Sequence, residues 1–155
     1  ACVEVGVDGV IVPDLPPIES DELHALCRAA GRDLIFMVAP TSTERHLREV
    51  AARASGFLYC VSLTGVTGAR DRLPDDLPAF LQRVRAVTDL PLALGFGISR
   101  PDHVAQAHAL VDAVVVGSAL LDRIAAAEPG ERAAVAEAFI AWLRAGTAAT
   151  VGEGS

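Results

Sequence analysis

With 155 residues, 52% of them apolar, and a formal charge of −7, the chain can build one domain around a packed core; it is neither a disordered segment nor a broad nucleic-acid or anionic-membrane surface. Cys2, Cys27 and Cys60 are too few and too widely spaced for a disulfide framework or a zinc knuckle, and they fit a reducing cytoplasm. The longest apolar runs, such as Ala113 to Val116, fall far short of the roughly 20 residues of a membrane span, so no membrane partner is expected and any bound anion must be held locally.

Ala1 to Gly6 reads as the tail of a helix running into a strand rather than as a signal peptide, and the lack of an initiator Met predicts a truncated start. Strands are expected at Gly9 to Val12, Leu34 to Val38, Phe57 to Ser62, Leu92 to Leu94 and Ala113 to Val116. Their Val/Ile/Leu content runs on without polar alternation, the pattern of parallel strands covered on both faces. Between them lie helical patterns. The acidic run Glu19 to Glu22 sits where a helix macrodipole favours it, ahead of Leu23, Leu26 and Cys27, and Gly31 follows the last turn. Thr41 and Glu44 have capping-box spacing before Leu47 and Val50. Asp75 or Asp76 caps the helix of Phe80, Leu81 and Val84, and Pro101 takes a first helical position. A final helix from about Glu131 to Ala145 carries Phe139 and Trp142, the latter read as a core anchor. The domain is expected to span 1–146, with a frayed tail over 147–155.

Five βα units in series mean a parallel sheet, either doubly wound or part of a barrel. A dinucleotide-binding sheet carries its Gly-rich turn after the first strand, whereas here Val12 is followed by Pro13-Asp14-Leu15-Pro16-Pro17. The glycines gather later. Gly95-Phe96-Gly97-Ile98-Ser99 follows the fourth strand, and Gly117-Ser118 follows the fifth and opens a short helical stretch, Ala119 to Ile124. Glycine admits an oxyanion close to the backbone N–H groups, and a helix N-terminus adds partial positive charge, so these turns read as a phosphate site or, alternatively, as tight turns alone. The long polar stretch Leu63 to Arg72, with Gly65 and Gly68, reads as a lid or an ordinary surface connection. Four histidines, at 24, 46, 103 and 108, fall in helical stretches as surface or packing residues, and no metal site is indicated.

Ser62-Leu63-Thr64-Gly65-Val66-Thr67-Gly68, Gly95-Phe96-Gly97-Ile98-Ser99 and Val116-Gly117-Ser118-Ala119-Leu120, with the Pro13-Asp14-Leu15-Pro16 turn, together resemble the tryptophan synthase alpha chain family, in order and spacing from Gly6 to about Ala145. The resemblance implies an α/β fold, a (β/α)8 TIM barrel present here as its fourth to eighth strands and therefore incomplete. It implies a carbon–carbon lyase that splits indole-3-glycerol phosphate into indole and glyceraldehyde 3-phosphate for tryptophan biosynthesis, without metal or organic cofactor, in an α2β2 complex with a beta subunit. By the same resemblance Gly68, Gly97, Gly117 and Ser118 hold the substrate phosphate, Phe96 lies beside it, Tyr59 is an auxiliary pocket group, and Thr67 is a lid residue. The family's acid/base pair, a Glu and an Asp, falls upstream of Ala1, so the chain alone is expected to be inactive. Asp14, beyond a strand's C-terminal end, reads as pocket support or a turn residue rather than a proton carrier. The alternatives are another phosphate-binding barrel, of the phosphoribosyl isomerase or indole-glycerol-phosphate synthase type, or a non-catalytic phosphate-binding fragment.

Overall fold

The computed structural model describes residues 2–62, 73–95 and 97–148. Its five strands are β1 (Gly9–Ile11), β2 (Asp33–Val38), β3 (Leu58–Val61), β4 (Leu92–Gly95) and β5 (Ala113–Val115), all parallel and hydrogen-bonded in the order β1-β2-β3-β4-β5. The helices among the described residues are α1 (Asp21–Ala29), α2 (Glu44–Ala51), α3 (Leu77–Arg85), α4 (Pro101–His108), α5 (Ser118–Ala126) and α6 (Arg132–Ala148), with a 3-10 turn at Pro17–Glu19. Each strand pairs with the next in sequence, so the order never reverses as it does in a doubly wound sheet.

Period-two alternation then decides which face the helices cover. Leu34, Phe36 and Val38 of β2, Leu58 and Cys60 of β3, and Leu92 and Leu94 of β4 share one buried cluster with Leu47 and Val50 of α2, Phe80, Leu81 and Val84 of α3, Val104 of α4 and Phe139 of α6. The opposite face carries the alternate residues Ile35, Met37, Tyr59, Val61, Ala93 and Gly95. A singly wound sheet with helices on one face is an arc of a barrel, and its inner face points to where the barrel axis would lie.

Local chemistry sets the boundaries. Val7 N–H donates to Cys2 O (3.0 Å) and Gly6 N–H to Val3 O (3.2 Å) with Gly6 at φ 76°, a Schellman arrangement, so the segment before β1 does end as a helix ends. Arg32 to Cys27 and Gly31 to Arg28 repeat it at the end of α1. At α2 the capping box expected from Thr41 and Glu44 does not form. Thr43 is the N-cap, its Oγ1 accepting from His46 N–H at 3.2 Å, and Glu44 instead pairs with Arg83 of α3 at 2.8 Å. Asp76 does precede α3, but its side chain makes no cap bond. Helix α6 continues through Thr147 and Ala148, beyond the boundary expected at 146; the rest of the expected tail, 149–155, lies outside the described residues. Trp142 is 44% exposed rather than a core anchor, because the cluster takes Phe139 and Leu143 from α6 and leaves Trp142 stacked on Phe139 at 5.8 Å under the Arg123 guanidinium.

Candidate functional site

Parallel strands bring their C-terminal ends to one edge of the sheet, and the turns that leave β1, β3, β4 and β5 carry the residues singled out in the sequence. Tyr59 stands on the inner face of β3, half-buried, opposite Ala93 of β4. Its ring leans along the strand direction onto Gly95, so closely that a Cβ there would overlap the hydroxyl and the ring. Gly95 therefore makes room for the phenol, whose hydroxyl comes to the C-terminal end of the inner face.

The next turn holds Gly97 at φ 81°, exposed, with nothing within 4 Å of where a Cβ would stand. Gly117 is the N-cap of α5, likewise exposed and open, and its carbonyl accepts from Leu120 N–H (3.0 Å) and Leu121 N–H (3.1 Å). The N–H groups of Ser118 and Ala119 then precede the helix's own hydrogen bonds, as the first N–H groups of any α-helix do. Helices α1, α2 and α4 each carry an acid in the first turn, at Asp21, Glu44 and Asp102, which offsets their N-terminal partial charge; α5, like α3 and α6, has none. Consecutive strands thus deliver two open glycine turns, one backed by an uncompensated helix N-terminus, an arrangement suited to an oxyanion.

Not every expected residue joins this group. Asp14 is exposed and lines a cleft of about 260 Å³ between the turn after β1 and α2, with Pro13, Phe36, Met37 and His46; Tyr59, Gly97 and Gly117 do not line it. Thr67 and Gly68 of the expected lid, and Phe96, lie outside the described residues.

Sequence reasoning missed His103. It is 2% exposed, with Nδ1 3.1 Å from Gly97 O and 3.4 Å from Ser99 N. The signal was available: Pro101 opens α4, so His103 is its third residue, the position from which a side chain reaches back over the preceding loop.

The described carboxylates with displaced acidity are Glu49, Asp102 and Asp112, all lowered. Glu49 and Asp102 owe this chiefly to hydrogen bonds from Arg45 and Arg100, and Asp112 to the Leu92 N–H and then to Arg85. Asp112 sits before β5, at the opposite end from the glycine turns. A general acid needs the reverse shift, and none of the three shows it. Burial pushes the Cys60 thiol up to about 12, which makes it a small hydrophobe.

Comparison with known proteins fixes the family. The tryptophan synthase alpha chain family matches residues 1–149. A tryptophan synthase alpha chain of Roseiflexus sp. (strain RS-1) is 55% identical over 141 residues, covering 91% of this chain and 54% of the relative. One from Methanocaldococcus jannaschii is 43% identical over 120 residues, 77% of this chain and 43% of the relative. Among solved structures, one describing mutual activation of the tryptophan synthase α2β2 complex from Pyrococcus furiosus superposes with TM-score 0.84 at 32% identity, over 93% of this chain and 58% of its own. Tryptophan synthase from Mycobacterium tuberculosis gives TM-score 0.77 at 36% identity, over 94% and 53%. The chain thus spans about half the length of the curated relatives it matches. These findings do not favour the other phosphate-binding barrels. On its family match and on the fold of its five-stranded arc, the chain belongs to the tryptophan synthase alpha chain family.

Proposed function

We propose that this chain supplies the phosphate-holding part of a carbon–carbon lyase that splits indole-3-glycerol phosphate into indole and glyceraldehyde 3-phosphate. The observation that carries the proposal is the pair of exposed glycine turns after β4 and β5, Gly97 and Gly117, with an acid-free helix N-terminus behind the second. A phosphate there accepts backbone N–H bonds that no Cβ obstructs, with Ser118 at the mouth, and an acidic protein needs no lysine to hold it. Gly68 and Phe96 complete this clamp by family resemblance, with Thr67 on the lid. Anchored by its phosphate, the substrate extends along the inner face toward the Tyr59 hydroxyl.

The retro-aldol step requires one group to protonate indole C3, turning the ring into a leaving group, and another to take the proton of the adjacent side-chain hydroxyl as the C–C bond breaks. Neither metal nor organic cofactor is needed. The acid and the base are carboxylates from outside these 155 residues; Asp14, lining a cleft apart from Tyr59, is a turn residue that moves no proton. By analogy with the α2β2 complex named for the Pyrococcus furiosus protein, the whole enzyme pairs with a beta subunit, to which it passes indole. Three cysteines without disulfides suit a cytoplasmic setting.

Glycerol 3-phosphate titrated into the chain by calorimetry tests the clamp. Weak binding is expected, and Gly117→Asp, which adds bulk and negative charge, abolishes it. Equal affinity in the two proteins removes the site.

A further inference from the structure

We propose that His103, which touches no substrate, is a positioning residue that sets the anion affinity of the clamp; this rests on the phosphate site proposed above. Among the described residues, His103 provides the side-chain hydrogen bonds to the Gly97 turn. Gly97 is exposed, with nothing within 4 Å of where a Cβ would stand, and Arg100, the N-cap of α4, makes no side-chain cap bond; its guanidinium pairs with Asp102 at 2.7 and 2.9 Å. What reaches back is the third residue of α4. The His103 ring is buried, so its orientation is fixed, and Nδ1 stands 3.1 Å from Gly97 O and 3.4 Å from Ser99 N.

In one protonation state Nδ1 can donate to the carbonyl or accept from the N–H, not both, and the shorter contact favours Nδ1–H donating to Gly97 O. That bond has a geometric consequence. In a trans peptide the C=O of Gly97 and the N–H of Ile98 point in opposite directions, so drawing the carbonyl onto a buried ring turns the Ile98 N–H outward, to the exposed side of the turn. Ile98 itself is 3% exposed, which anchors the far end of the same peptide. The imidazole thus presets a donor that the clamp uses, and a phosphate finds the turn already formed. The Nε2 atom is buried with no partner among the described residues, so the ring is held on its Nδ1 side.

Three substitutions separate this role from packing. His103→Leu fills the space and deletes the bond; His103→Asn keeps a donor at the same branch point as Nδ1; His103→Gln carries its amide one carbon further out. With glycerol 3-phosphate as probe, His103→Leu should bind about tenfold more weakly, the order expected when a buried carbonyl loses its donor. His103→Asn should stay within about twofold of the unsubstituted chain, and His103→Gln should resemble the Leu variant. Val104→Ala, a neighbouring core truncation, provides a thermal-melt match: it should lower Tm and leave affinity unchanged. The proposal is overturned if His103→Leu binds as the unsubstituted chain does, or loses no more than Val104→Ala. Should His103→Leu fail to fold, Asn against Gln decides, and equal affinities there overturn it as well. If the unsubstituted chain binds no glycerol 3-phosphate, or Gly117→Asp binds equally well, the clamp itself falls and this role with it; intact binding with an indifferent His103 removes only the positioning role.

Discussion

The Tyr59 phenol occupies the space that a side chain at Gly95 would take, a contact between adjacent strands that couples the wall of the pocket to the strand leading into the Gly97 turn. Since β4 is buried and close-packed, Gly95→Ala must push the ring off the strand or spread the sheet, at a cost of roughly 1–3 kcal/mol. In a Tyr59→Ala background the same change should cost much less. A double-mutant cycle read by urea denaturation measures the coupling, and additive effects would show that Tyr59 does not rest on Gly95.

Helix α2 separates two readings of its start. Thr41 and Glu44 have the right spacing for a capping box, yet Thr43 Oγ1 takes the His46 N–H and Glu44 turns to Arg83. Thr43→Ala should therefore destabilise the protein by about 1 kcal/mol, and Thr41→Ala, at an exposed position, by far less. Equilibrium denaturation of the two variants decides, and the opposite ranking restores the capping box.

That helix also shows what a sequence can and cannot disclose. Continuous apolar runs placed all five strands, a pattern that suits strands with helices on one face and a barrel interior on the other, and Gly31 and Pro101 marked helix ends because backbone geometry demands them there. Competing caps two residues apart are settled by a partner on another helix, Arg83, which no local pattern contains. The same holds at Trp142: periodicity places an aromatic on α6, but whether it is covered depends on which of α6's residues face the sheet, and that face goes to Phe139 and Leu143. At the proposed clamp, Gly97 and Gly117 are legible as glycines after strands. For His103 the sequence held only its place as third residue of α4 after Pro101; helical patterning marks a buried histidine no differently from a leucine, and its contact with Gly97 O exists only once the turn is folded.

Cys60 provides a readout of the closed core. Burial raises its thiol from the ordinary 9.0 to about 12, so the folded state keeps the proton that the unfolded chain gives up above 9.0. Its contribution to stability is full below pH 9 and is lost as pH rises toward 12, and Cys60→Ala should flatten that part of the pH–stability curve. Cys27 is raised as well, by burial first and then by the charges of Cys2 and Asp33. With Cys2 exposed, iodoacetamide should label one thiol rapidly at neutral pH in the folded chain and all three in urea. Rapid labelling of Cys60 without denaturant would mean that β3 is not covered by helices as described.

The most demanding prediction concerns turnover. Alone, the 155-residue chain should release no detectable indole from indole-3-glycerol phosphate, and release should appear when it is joined to a family segment of about three βα units, the number that brings five strands to the eight of a closed barrel. Holding a substrate does not break its C–C bond. The clamp proposed at Gly97 and Gly117, together with Tyr59, would supply orientation, but the reaction also needs a proton delivered to C3 and another removed from the hydroxyl. General acid and general base each contribute roughly 10²- to 10⁴-fold, so a site lacking both is slower by some four to eight orders of magnitude. The assay takes three proteins: the chain, its fusion to the N-terminal segment of the Roseiflexus relative, and that fusion with the family's Glu and Asp changed to amides. Indole should appear from the second alone. Comparable rates from the chain and the fusion would sink the assignment of proton transfer to residues outside this chain, and Asp14, beyond the end of β1 in its own cleft, would become the first carboxylate to replace.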